Sequence, residues 1–116
     1  MLKNLTKNIL ISKNVRFCNS ILSKAIGLMF SKKSDKSLIF TFKKEKIVPL
    51  HMLFVFYPID VLFLDKGKKI VEMKENFRPF AFYTPRCKAR YIIEMPQGSI
   101  RRFNAEINDK LSFRPF

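Results

Sequence analysis

Apolar residues along this chain come in short clusters separated by charged or turn-forming residues, and their spacing predicts strands far more often than helices. Residues 5–17 mix Ile9, Leu10, Ile11, Val15 and Phe17 with Lys and Asn, and Lys13-Asn14 falls where a turn between two short strands would sit. From Asn19 the period changes. Ile21, Leu22, Ala25 and Ile26 share one face of a short helix over residues 19–26, with Asn19 or Ser20 to cap its first amides and Gly27 to end it. Residues 31–37 are polar and basic and read as an exposed loop. Leu38, Ile39, Phe40, Thr41 and Phe42 are β-branched or aromatic and predict a strand, which a charged turn over residues 43–46 should end.

Residues 50–65 are the most apolar stretch and predict the buried centre of the fold, with Pro49 and Pro58 confined to edges or bends. Residues 61–64 and 70–73 flank Asp65-Lys66-Gly67-Lys68 as a hairpin in which Gly67 supplies the positive φ of a tight loop. Residues 76–87 form a loop with Pro79 and Pro85 but also Phe77, Phe80, Phe82 and Tyr83, so it must pack onto something. Tyr91, Ile93 and Met95 alternate with Ile92 and Glu94, as in a strand buried on one face and partly polar on the other. After the break at Pro96-Gln97-Gly98, residues 99–103 fit a helical turn capped by Ser99 and left through Asn104, while Phe103, Ala105 and Ile107 alternate as a competing strand. A closing strand follows over residues 111–113. The expected fold is mainly β: one domain over residues 1–116, a small sandwich or partly closed barrel with one short helix near Asn19 to Ile26.

Composition supports this reading. With 116 residues, 47% hydrophobic residues and 13 Phe, the chain can bury a Phe-rich core and is too apolar for a disordered tail. The net charge of +14, from 23 Lys and Arg against nine acids, favours contact with polyanions or anionic membranes. A genome biased toward A and T would also produce this excess of Lys, Ile, Asn and Phe, so charge alone describes solubility and non-specific binding. Cys18 and Cys87 form no C-x-x-C or His/Cys cluster, which excludes a structural zinc site and leaves two thiols or one disulfide. Ile9-Leu10-Ile11 is too short for an export signal, and the apolar run over residues 50–59 is half the roughly 20 residues of a membrane-spanning helix. A soluble, cytoplasmic protein without a membrane span is expected. Gly27, Gly67 and Gly98 are isolated and form no phosphate-binding loop, so no cofactor is expected, and Met29, Met52, Met73 and Met95 read as core fillers.

The order of the pieces carries a resemblance. Ala25-Ile26-Gly27-Leu28-Met29-Phe30, then His51-Met52, then Pro58-Ile59-Asp60-Val61-Leu62-Phe63-Leu64-Asp65, a Gly hairpin, Ile70-Val71 and Ile93-Glu94-Met95-Pro96-Gln97-Gly98 resemble the uncharacterised family called domain of unknown function 192, over residues 15–113. The resemblance implies a compact mainly-β domain with one short helix and supplies no activity. His51 stands where many bacterial members carry Trp, and Asn108-Asp109 where Gly-Asp is usual. Asn is the best substitute for Gly in a left-handed turn, so that turn should persist. Bacterial relatives often begin with an export or lipoprotein segment; this chain shows no such pattern, and no periplasmic role is expected of it.

Three functional readings follow. Asp60, Asp65 and Glu94 are acids in or beside apolar strands; converging, they could hold a divalent cation or act as general acid and base. Otherwise Asp65 opens the turn, Asp60 caps a strand start after Pro58 and Glu94 pairs with a Lys or Arg. His51 with Asp60 suggests a base and its orienter, but no Ser or Cys nucleophile and no second His accompany them, so catalytic candidates stop at Asp60, Glu94 and His51. The favoured reading is a non-enzymatic binding or interaction module with a face lined by Phe, Tyr and Met and with Met52, Asp60, Asp65 and Glu94 at its site. The alternative is nucleic-acid binding by the basic-aromatic stretch over residues 77–91 through Arg78, Arg86, Lys88 and Arg90, rings stacking on bases and cations meeting phosphates. A carboxylate-based, metal-dependent hydrolase is the third. The partner and the oligomeric state are not specified by the sequence.

Overall fold

The computed structural model describes residues 1–18, 37–51 and 57–114. In chain order these form strands β1 (Leu2–Asn4), β2 (Ile9–Ser12), β3 (Val15–Cys18), β4 (Ser37–Lys46), β5 (Leu50–His51), β6 (Ile59–Leu64), β7 (Ile70–Phe77), β8 (Phe82–Tyr83) and β9 (Ala89–Pro96), then helix α1 (Ser99–Arg102) and strand β10 (Leu111–Ser112). The helix expected over residues 19–26 lies outside the described residues, as do residues 52–56 of the apolar stretch, whose composition is strand-like. The class is mainly β, as expected.

A five-stranded sheet of order β3-β4-β9-β6-β7 forms the centre. Beside its middle strand β9 lies β6, from the apolar stretch singled out in the sequence, and every residue of β6 is buried. Successive side chains of a strand point to opposite faces, so a strand this apolar needs a cover on both sides. On one face Ile59, Val61 and Phe63 pack with Leu38, Phe40, Ile92, Phe77, Val48 and Leu50. On the other, Leu62 and Leu64 pack with Ile39, Ile93, Met95 and Ile70 against residues from a second sheet. That second sheet, of order β10-β1-β2, contributes Leu2, Ile11 and Leu111, and α1 adds Ile100. Fully burying each of these large aliphatic side chains contributes roughly 1.5–3 kcal/mol. We call the face under the three-stranded sheet the closed face. The face covered by the two-stranded ribbon β5-β8 and its loops is the ribbon face.

The differences from the sequence reading are instructive. Lys13-Asn14 does lie between two strands, but they do not form a hairpin, since β2 joins the three-stranded sheet and β3 pairs in parallel with β4. β1 has no counterpart among the expected strands; its three residues are too few to show a period. The charged residues 43–46 do not form a turn but continue β4, which runs past the covered part of the sheet into solvent. β9 alternates as expected, but the face that carries Ile92 and Glu94 is buried like the other. The hairpin between β6 and β7 forms as expected, yet Lys68, at φ 65°, holds the left-handed position expected of Gly67. The reason is the Asp65 carboxylate, whose Oδ1 accepts the Gly67 and Lys69 amides, each at 2.9 Å, and sets the turn itself. Gly98, at φ 88°, rather than Ser99, is the N-cap of α1, and Asn104, at φ 52°, is the left-handed exit. Asn108, at φ 77°, takes the left-handed role expected for a Gly substitute.

Candidate functional site

The acids are the place to begin, because a buried carboxylate is costly unless something compensates it. Asp60 is 1% exposed and lies on the closed face, opposite Met95 in the register of β6 and β9. Its Oδ1 accepts the Asn76 amide at 3.0 Å and its Oδ2 the Ile100 amide at 2.9 Å. Asp60 therefore caps the first turn of α1 and ties it to the end of β7. Asp109 does the same at the chain's end, where Oδ2 accepts from Asn4 Nδ2 at 2.9 Å, Lys7 Nζ at 2.8 Å and the Glu106 amide at 3.0 Å. Burial alone would raise its pKa, but the bonds from Lys7, Asn4 and Glu106 leave it lowered.

Glu94 stands apart from these. It lies opposite Leu38 on β4 and Val61 on β6, both residues of the ribbon-face core, so it projects from the sheet on the opposite side to Asp60. It is 1% exposed. Tyr57, half-buried against the same core, has a raised pKa, first because burial disfavours the phenolate and second because the Glu94 charge is near. The Tyr57 hydroxyl is buried and makes no hydrogen bond among the described residues.

The ribbon face has a second acid. Glu72 on β7 accepts from the Tyr83 hydroxyl through Oε2, and from the Arg86 and Cys87 amides through Oε1 at 2.8 and 2.9 Å. Burial works to raise the Glu72 pKa, and these donors outweigh it and lower it; burial and the Glu72 charge push the Tyr83 hydroxyl up to about 12. Glu72 is thus a latch that fastens the aromatic arm, residues 78–88, across the sheet. Cys87 is a free thiol whose Sγ donates to the Val71 carbonyl at 3.7 Å, so the open question of a Cys18–Cys87 disulfide closes against it. Burial and Glu72 raise the Cys87 pKa, which keeps the sulfur protonated and poorly nucleophilic.

The three acids considered as a catalytic set are therefore not brought together: Asp60 and Glu94 face opposite ways, and Asp65 is engaged in its hairpin. Among the described residues no group of three His, Cys, Asp or Glu could hold a metal ion. His51 is placed by its backbone in β5, opposite Phe82, and Met52 lies outside the described residues. Of the four cations assigned to nucleic acid, Arg78, Arg86 and Lys88 are exposed. Arg90 is not available in the same way, because it is half-buried and its Nε donates to the Phe42 carbonyl. Tyr57, Glu72 and Tyr83 escaped the sequence reading as site residues. The signal for Glu72 was an acid in a strand-forming stretch, and for Tyr57 an amphipathic ring beside the Pro58 bend.

A model of one protein family, uncharacterised and designated DUF192, matches residues 4–113. The chain belongs to the DUF192 family. It is 36% identical over 115 residues to a UPF0127 protein of Thermococcus sibiricus, covering 97% of this chain and 74% of that one. It is 35% identical over 115 residues to a UPF0127 protein of Pyrococcus horikoshii, covering 97% and 98%. Two crystal structures share the DUF192 fold seen here. One, from Sinorhizobium meliloti 1021 and named provisionally as a transcription regulator, has a TM-score of 0.76 at 24% identity, covering 84% of this chain and 79% of that one. The other, a protein of unknown function from Novosphingobium aromaticivorans, has a TM-score of 0.76 at 18% identity, covering 85% and 74%. No helix among the described residues is long and apolar enough to cross a membrane.

Proposed function

We propose that this DUF192 protein is a non-enzymatic binding domain that takes its ligand on the ribbon face, between Tyr57 and Glu94. The observation that carries the reading is the Tyr57 hydroxyl, which is buried without a hydrogen bond beside a carboxylate that is 1% exposed. A buried hydroxyl without a partner costs about 1–3 kcal/mol, and a fold keeps such a group where something else completes it. The phenol can donate or accept, and the carboxylate favours a cation, so an amine or a guanidinium is the matching ligand class. Tyr57 as a whole is half-buried, so the residue lies at the border between core and surface. One carboxylate beside one phenol suits binding better than hydrolysis, which calls for an activated nucleophile.

Thermal unfolding in the presence of a panel of primary amines, guanidinium compounds and divalent cations tests the proposal. At least one amine or guanidinium compound should raise the Tm, and Tyr57→Phe and Glu94→Gln should each abolish that rise. Absence of stabilisation by every compound, or a rise that survives both substitutions, overturns it.

A further inference from the structure

A second surface on the ribbon face is not explained by that reading. The aromatic arm presents two rings to solvent, Phe80 at 57% and Phe82 at 72% exposure. Phe80 is held there by an unusual backbone. The Ala81 amide donates to the Arg78 carbonyl at 3.2 Å, closing a turn with Pro79 at its second position and Phe80, at φ 64°, at its third. This is the pattern of a type II turn, whose third position ordinarily calls for Gly. A bulky side chain in the left-handed region is a genuine outlier, and strain of this kind collects where a fold has a use for it.

Positive charge is concentrated along the same edge. Arg78, Arg86 and Lys88 are exposed on the same arm as the two rings. Past Lys88 the arm enters β9 at Ala89, which pairs with Lys46 at the end of β4. That end of β4 lines a cleft of about 500 Å³ formed by Thr41, Phe42, Lys43, Lys44 and Lys46. The acids near this strip are fewer than its cations, and each has a partner. Glu45 accepts the Lys66 amide at 2.7 Å, Glu72 holds the arm from beneath, and Glu75 pairs with Arg101 at 3.1 Å.

We propose that the arm and the end of β4 form a docking strip for single-stranded nucleic acid, with Phe80 and Phe82 stacking on unpaired bases and Lys43, Lys44, Lys46, Arg86 and Lys88 meeting the phosphates. Stacking needs bases whose faces are free, which a duplex does not offer, and a pair of rings flanked by cations offers contacts to both the bases and the phosphates of a strand. The rigid attachment of the arm through Glu72 sets the rings before the strand arrives, so little ordering is left to binding.

The test is fluorescence anisotropy with a single strand of about 12 nucleotides, a length within the range one such surface covers. The duplex of the same length, heparin and anionic phosphatidylserine vesicles serve as the other probes. The single strand should bind best. Phe82→Ala should weaken it by roughly fivefold or more while leaving heparin unaffected. Lys43→Ala with Lys44→Ala should weaken all polyanions alike and flatten the salt dependence of single-strand binding by about 0.7 for each phosphate no longer neutralised. Phe80→Gly separates binding from folding, because it relieves the turn and should keep or raise the Tm while lowering affinity. Undetectable binding at low salt, equal affinity for single strand, duplex and heparin, preference for the vesicles, or an unchanged affinity in Phe82→Ala would each overturn the inference.

Discussion

The two faces of the five-stranded sheet bury comparable sets of large apolar side chains and each holds an engaged carboxylate, Asp60 on one and Glu72 on the other, yet only the ribbon face holds a buried hydroxyl with no hydrogen bond among the described residues. On the closed face the carboxylates of Asp60 and Asp109 are fully engaged with amides and side chains of the same chain, and a second sheet seals the interior. On the ribbon face a buried carboxylate lies beside a phenol that makes no hydrogen bond, and the cover is a two-stranded ribbon and an arm that shows its rings to solvent. Polar groups that complete each other within the fold are structural, whereas a hydroxyl left incomplete points outward to a partner. The contrast separates scaffold from candidate site more sharply than residue type does, since both faces contain a buried acid.

That contrast can be broken by mutation. The largest effect is expected from Asp60→Ala, which strands the Asn76 and Ile100 amides; at about 1–3 kcal/mol per unsatisfied buried donor, urea unfolding should show a loss of about 3 kcal/mol. A loss below about 1 kcal/mol would mean that Asp60 is not the closed-face staple. Glu72→Gln should cost less, about 1–2 kcal/mol, and should speed hydrogen exchange at the Arg86 and Cys87 amides in particular. Acid pH should act on the same groups. Asp109 and Glu72 have lowered native pKa values, so the stability they add is complete above the unfolded carboxylate range near 4 and fades as pH falls through the lowered values. Asp109→Asn should flatten that acid limb of the stability profile, and an unchanged limb would exclude the linkage. The smallest effect has the opposite sign. Tyr57→Phe removes a buried hydroxyl with no hydrogen bond and should leave stability unchanged or raise it by up to about 1 kcal/mol, so a loss of about 2 kcal/mol would show that the phenol is structural after all.

Much of the fold was legible because it rests on local pattern. The apolar run of β6 and the Asp65-Lys66-Gly67-Lys68 turn specify the central hairpin, and Asn104 and Asn108 take the left-handed positions that their chemistry suits. What could not be read was which strands meet across the chain. Residues 43–46 look like a turn because four charged residues sit together, and only the pairing of Lys46 with Ala89 makes them strand. The candidate site was less legible for the same reason. Asp60 and Glu94 look alike in sequence, each an acid within an apolar strand, and the register alone sends one to each face. Asp60 consequently belongs to the scaffold, and the candidate role passes to Glu94 with a tyrosine that no spacing rule would have joined to it.

The pairing of β1 with β10, Lys3 opposite Ser112 and Asn4 opposite Leu111, also constrains the order of events during synthesis. A ribosome releases Leu2 well before Leu111, so the closed face cannot receive its full cover until both ends of this domain have been made. Until then Leu62, Leu64 and Ile93 belong to a sheet with one side bare. Because β9, the strand that joins β4 to β6, is itself made late, the bare side arises only near the end of the domain's synthesis, but pairings of such long sequence separation form slowly and prolong it. The scaffold half of the molecule is therefore the half most dependent on protection from aggregation while it is being made.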